Sequence, residues 1–94
     1  MQVPEGGISG LLNGLGDKTR LSFRLELDQL IISTNAHTQK VELESIRNFI
    51  NEPIVGMEGH HIVGFQLGPT EKSIYWVYFV PAQYIKKIRS AIGI

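Results

Sequence analysis

Arg20-Leu21-Ser22-Phe23-Arg24-Leu25-Glu26-Leu27-Asp28 alternates polar and apolar residues from end to end. A period of two gives one buried and one wet face, as in an antiparallel strand. Wound as a helix, the same leucines would scatter around the axis among the charges. The stretch is therefore predicted to be a strand, with Leu21, Phe23, Leu25 and Leu27 inward and Ser22, Arg24, Glu26 and Asp28 outward.

The pattern extends in both directions. Leu30-Ile31-Ile32-Ser33-Thr34 is a short β-branched run that Asn35-Ala36-His37 ends as a turn. Lys40-Val41-Glu42-Leu43-Glu44 alternates again, Val41 and Leu43 inward, which makes a meander. Residues 45–50 suit either a helical turn or a continued strand. Pro53, Gly56 and Gly59 then punctuate a loop over residues 51–59, unusually apolar because it carries Ile54, Val55 and Met57. Two further strands follow, over residues 61–67 and 73–80. The second is apolar or aromatic on both faces, which places it centrally in a sheet or beneath another element.

Pro81 fits the first position of a helix, and Ile85, Ile88 and Ile92 recur at helical spacing as an inner stripe. Lys86, Lys87 and Arg89 lie off that stripe near the favourable C-terminal end, with Gly93 placed as the cap. At the other end, residues 6–16 are glycine-rich around Ile8, Leu11 and Leu12. They read as a short first strand after a flexible lead-in over residues 1–7, with Gly16-Asp17-Lys18-Thr19 as the turn into the next strand. Residues 8–94 then form a single mainly-β domain, an antiparallel sheet or barrel of about seven strands closed by a C-terminal α-helix.

The composition agrees. At 94 residues, 43% hydrophobic and 19% charged, the chain holds enough apolar material for one core and too little for two. Nine basic and nine acidic residues cancel, so no whole-molecule field draws it to nucleic acid or an anionic membrane. The absence of cysteine fits an intracellular, reducing setting, either cytoplasmic or peripheral to a membrane. No apolar run approaches the roughly 18 residues of a membrane span.

Short antiparallel strands ending in one amphipathic helix resemble the order of a pleckstrin-homology-like (PH-like) domain, in which the helix plugs one end of a bent sheet. Residues 9–28, opening on Ser9-Gly10-Leu11, resemble the family's first hairpin. Val41-Glu42-Leu43-Glu44-Ser45-Ile46-Arg47 resembles its fourth strand and exit, and residues 75–92 its last strand and closing helix. Many members carry a tryptophan in that helix, where this chain offers Tyr84, Ile85 and Ile88, so the resemblance is to a divergent member. The Leu11-Leu12-Asn13-Gly14 opening is also similar, more weakly, to that of the small PH-like scaffolds of the apicomplexan inner membrane complex.

The resemblance implies a non-catalytic, protein-binding scaffold or adaptor in a membrane-associated or cytoskeletal assembly, with phosphoinositide binding as the alternative. For protein binding, an outward Tyr75 or Trp76 together with Ile54, Val55 and Met57 would make an apolar patch. For lipid headgroups the family pattern points to Lys18, Arg20 and Arg24, where Arg20 and Arg24 share a strand face and Lys18 precedes them. Asn13 and Leu15 stand where the motif wants a basic residue, and Glu26 and Asp28 continue the same face.

Other chemistry finds little footing. His60 and His61 are adjacent on a strand and point to opposite faces, which does not favour a metal site, and His37 lies in a distant turn. No serine–histidine nucleophile pattern, phosphate loop or dinucleotide fingerprint is present, so neither enzyme nor cofactor is expected. Tyr75, Trp76 and Tyr78 lack interleaved basic residues on their own strand, which argues against nucleic acid.

Overall fold

The strands are β1 (Ile8–Asn13), β2 (Lys18–Arg24), β3 (Gln29–Thr34), β4 (Thr38–Glu42), β5 (Asn48–Pro53), β6 (His60–Gln66) and β7 (Ile74–Pro81), and the helix α1 (Ile85–Ile92) follows. The computed structural model describes Pro4 and residues 6–93. Most of the lead-in expected over residues 1–7 therefore lies outside the described residues. All seven strands form one antiparallel sheet in the order β4-β3-β2-β1-β7-β6-β5.

A flat sheet of this width would hold its edge strands about 29 Å apart at ~4.8 Å per strand. Yet every strand contributes to one buried cluster: Leu11 and Leu21 from the first hairpin, Leu30 and Val41 from the second, and Phe49, Phe65 and Val77 from the rest. One core can serve seven strands only because the sheet curls around it. Ile88 of α1 enters that core fully buried, with Ile85 and Ile92 packed beside it. Together these make the PH-like arrangement of a bent sheet closed by a helix.

Two bulges bend individual strands. On β1, Ile8 and Leu11 pair with Leu21 and Thr19, so three steps on one strand match two on the other. Gly10 takes the left-handed conformation that this requires (φ 80°). Ile8 and Leu11 thereby both reach the core despite their odd spacing. On β7 the extra residue falls at Tyr78 and Phe79, opposite Ile62 of β6, and lets both Val77 and Val80 point inward.

The pattern that opens at Arg20 is strand only as far as Arg24. Arg24 pairs with Gln29, so residues 25–28 form the connection between β2 and β3. Leu25, Glu26 and Leu27 make a 3-10 turn that Asp28 ends in the left-handed region (φ 52°), its N–H donating to the Leu25 carbonyl. Leu25 and Leu27, expected inward, are 57% and 53% exposed. Alternation continued through a hairpin loop that geometry had already taken out of the sheet. Pro81 differs too: it ends β7 and caps a 3-10 turn over Ala82–Tyr84, so α1 begins only at Ile85. At its other end Gly93 caps the helix in the left-handed region, as expected. Residues 45–50 divide between a 3-10 turn over Leu43–Ser45 and β5, and β5 runs on to Pro53.

Both sheet edges are guarded. Toward the open side of β5 the register directs Phe49, Asn51 and Pro53. Pro53 has no N–H, and the Phe49 N–H donates to Asn48 Oδ1 at 3.0 Å, leaving the Asn51 N–H. On β4, a strand of five residues, Lys40 and Glu42 flank the open side.

Leu21→Ala should destabilise the protein by about 2–5 kcal/mol, as a core truncation does. Leu25→Ala should stay within about 0.5 kcal/mol of the parent, as an exposed loop substitution does. Urea denaturation of both variants checks the boundary between strand and turn.

Candidate interaction surface

Tyr75 and Trp76 are neighbours on β7 and so point to opposite faces. Tyr75 turns inward and packs against the core, where its hydroxyl accepts a hydrogen bond from Asn13 Nδ2 at 3.1 Å. Asn13 is itself buried at the end of β1, and its Oδ1 accepts from the N–H groups of Leu15 and Asp17, each at 2.9 Å. One side chain thus ties the β1–β2 turn to β7.

Trp76 turns outward. Its cross-strand partner is Gly64, and a Cβ there would lie 2.8 Å from both Trp76 Cζ3 and Ile74 Cγ2. Gly64 is buried because the indole covers it. Ile50 pairs with Gly64 from the far side, and Ile62 and Ile74 flank the same outer face, all half-buried. Leu12 and Tyr78, paired across β1 and β7, continue it. Just beyond Tyr78, Phe79 holds a left-handed backbone (φ 69°), which for an aromatic residue costs about 1–3 kcal/mol. The two rings, with centroids 6.3 Å apart, occupy a place where a regular strand would present one residue outward.

The apolar loop lies elsewhere. Val55 is 99% exposed at its tip and Met57 is also exposed, while Ile54 is half-buried with its N–H bonded to the His60 carbonyl. Ala82 N–H donates to the Gly59 carbonyl, which fixes this loop at the end where β7 enters the helix. Of the residues expected to share a patch, Ile54, Val55 and Met57 stay together. Trp76 lies on the sheet flank, four residues along β6 from the loop by way of Gly64, or about 13 Å at ~3.3 Å per residue. Tyr75 is on the other face.

Lys18 and Arg20 are brought together at the opposite end of the sheet. They line a shallow groove of roughly 280 Å³ with Ser9, Ser33, Thr34 and Asn35, and among the described residues no carboxylate lines it. Arg24 shares their face but sits four residues beyond Arg20, about 13 Å along the strand. Glu26 and Asp28, expected to continue that face, leave it with the 3-10 turn. Asp17 adjoins Lys18 in the preceding turn, and Glu42 on β4 borders the row through Gln29, whose Nε2 donates to Glu42 Oε1 at 3.3 Å. Lys40 joins the same outer face from β4.

His60 Nδ1 lies 3.3 Å from the Glu58 carbonyl oxygen, and His61 Nδ1 is buried with no hydrogen-bond partner among the described residues. The buried polar side chains there are Asn13 and Thr19, neither of them a carboxylate. Among the described residues no three His, Cys, Asp or Glu side chains are grouped to hold a metal ion.

A family model described as the C-terminal PH-like domain in UBFD1 matches residues 1–94. The chain belongs to this family of PH-like domains. Two similar proteins, each described as ubiquitin domain-containing protein UBFD1, come from Homo sapiens and Mus musculus and are both 48% identical over 91 residues. Those residues make up 97% of this chain but 29% of the human protein and 25% of the mouse protein. The chain therefore spans under a third of the length of these relatives. PH-like divergence, inferred above from the missing helix tryptophan, takes the specific form of the UBFD1 branch. The weaker resemblance to apicomplexan scaffolds has no counterpart in these matches.

Within this UBFD1-type domain, sequence reasoning missed Gly64, Asn13, Phe79 and the outer isoleucines. A lone glycine inside an apolar strand is a signal of close approach, and that signal was there to be read at Gly64. Gly64→Ala should destabilise the domain by about 1–3 kcal/mol through overpacking against the indole, and Trp76→Ala in the same chain should recover part of that loss. Asn13→Ala should cost about 1–3 kcal/mol, more than the ~0.5–1.5 kcal/mol of Tyr75→Phe, because it strips partners from two amides as well as from the phenol. Thermal and urea denaturation measure both comparisons.

Proposed function

We propose that this domain is a non-catalytic interaction module that binds a partner protein, as a scaffold or adaptor in a membrane-associated or cytoskeletal assembly inside the cell. The observation that carries the reading is apolar surface held open to solvent by rigid backbone. Val55 and Met57 project from a loop anchored at both ends, and Trp76 is seated on Gly64 by the sheet itself. Preorganised apolar and aromatic groups bind without first losing conformational freedom. The relatives support an adaptor role, because their name and the family's description join a ubiquitin domain to this PH-like region in one protein.

The reading is tested by recovering partners from native cell extract on the intact domain and on Val55→Asp/Met57→Asp and Trp76→Ala variants. A specific partner should weaken tenfold or more, about 1.4 kcal/mol, in at least one variant. Equal recovery by all three proteins would refute it.

A second reading rests on the groove at Lys18 and Arg20, whose cations and hydroxyls suit the phosphates of a phosphoinositide headgroup. Leu15, 88% exposed at the tip of the neighbouring turn, would enter the bilayer surface beside it. Sedimentation with phosphoinositide-containing vesicles should then fall steeply with ionic strength and vanish in Lys18→Ala/Arg20→Ala. Recruitment unchanged in that variant excludes this route.

A further inference from the structure

The outer face of the sheet changes character across a single residue. Leu12 of β1 pairs with Tyr78 of β7 on one side and with Lys18 of β2 on the other. Cross-strand neighbours lie about 5 Å apart, so an aromatic ring, an aliphatic side chain and an ammonium stand in one row. Beyond Tyr78 the face is apolar through Trp76, Ile74 and Ile62, with Gln66 and Glu52 bordering it as the cross-strand partners of Ile74 and Ile62. Beyond Lys18 it is cationic, through Arg20 and the groove lined with Ser33 and Thr34.

Both strands that meet Tyr78 depart from regular geometry near this join. β1 bulges at Ser9 and Gly10, and β7 bulges at Tyr78 and Phe79 with Phe79 in the left-handed region. Bulges re-aim side chains, and strained backbone persists where the surrounding structure holds it, often at sites of binding. At the second bulge Tyr78 pairs with Leu12, and the Phe79 ring centroid lies 6.3 Å from that of Tyr78.

We propose that this face receives an acidic amphipathic segment of a partner protein, with its apolar side chains on Trp76, Tyr78 and Leu12 and its carboxylates over Lys18 and Arg20. The inference deepens the protein-binding reading above and rests on it. Charge complementarity selects the partner: among the described residues the groove is lined by cations and hydroxyls without a carboxylate, and carboxylates accept strong charge-assisted hydrogen bonds from such groups. A nucleic acid strand fits less well, because only Lys18 and Arg20 adjoin the row to meet its phosphates. A bilayer meets the protruding Leu15 turn and does not wrap along the sheet flank to Ile62.

Trp76 is the chain's one tryptophan, so its emission reports on this face alone. The probe is a synthetic helical peptide with leucines on one face and glutamates on the other, titrated into the full chain. Its controls are the same peptide with lysines for glutamates, an oligothymidine, and phosphatidylserine vesicles. The acidic peptide should shift the emission to the blue with saturation, and raising salt from 50 to 500 mM should weaken binding by about tenfold. Lys18→Glu/Arg20→Glu, both substitutions at exposed positions, should reverse the preference toward the lysine peptide, and Tyr78→Asp should abolish the response. An unresponsive Trp76, an equal response to both peptides, or a stronger response to the oligonucleotide or the vesicles overturns the proposal. If Trp76 is unresponsive while Val55→Asp/Met57→Asp still loses a protein from extract, this face fails and the protein-binding reading stands on the loop.

Discussion

A sheet that curls without closing leaves the end of its core open to water, and burial of Ile88 is what shuts it. The edge strands β4 and β5 do not pair with each other, so no hydrogen-bond ladder completes the barrel. Closure falls instead to a helix of eight residues, too short to be stable alone and dependent on its packed face. Ile88 disappears completely into the core, Ile85 and Ile92 border it, and the Arg89 guanidinium lies 5.3 Å from the centre of the Phe49 ring, joining the helix to the edge strand. Without that plug the inward faces of seven strands would have no common interior.

The closure was written in the sequence because it uses the helix's own period. Ile85, Ile88 and Ile92 allow one inward stripe, and Gly93 one way to stop. The alternation around Leu21 marked a strand just as clearly but could not say where it ended. The end is set by pairing: once Arg24 faces Gln29, the next residues must turn, whatever their hydropathy. Leu25 and Leu27 therefore looked like core and became surface. A similar limit governs the candidate sites. Apolar residues were recognised one by one, but whether Tyr75 and Trp76 act together depends on strand parity, and whether either meets Val55 depends on where a hairpin ends. Lys18, expected in the turn before the strand, opens β2 and lines one groove with Arg20. Arg24, expected to cluster with them, lies farther along, because strand length separates what a common face unites.

The bent sheet also distributes the chemistry. The turn held by Asn13 carries the cationic groove at one end, the loop with Val55 stands at the helix end, and the outer flank under Trp76 connects the two halves. Three surfaces of different character are thus presented in fixed relation by one core. That arrangement is what the interaction role proposed above draws on.

The guarded edge of β5 carries this one step further. An open strand can zip onto almost any extended chain, since backbone recognises backbone without regard to sequence. Pro53 and the self-capping Asn48 silence most of that indiscriminate valence. Crowded into an assembly with many copies of itself, such a molecule stays discrete, and what it holds is decided by the identity of side chains on its faces.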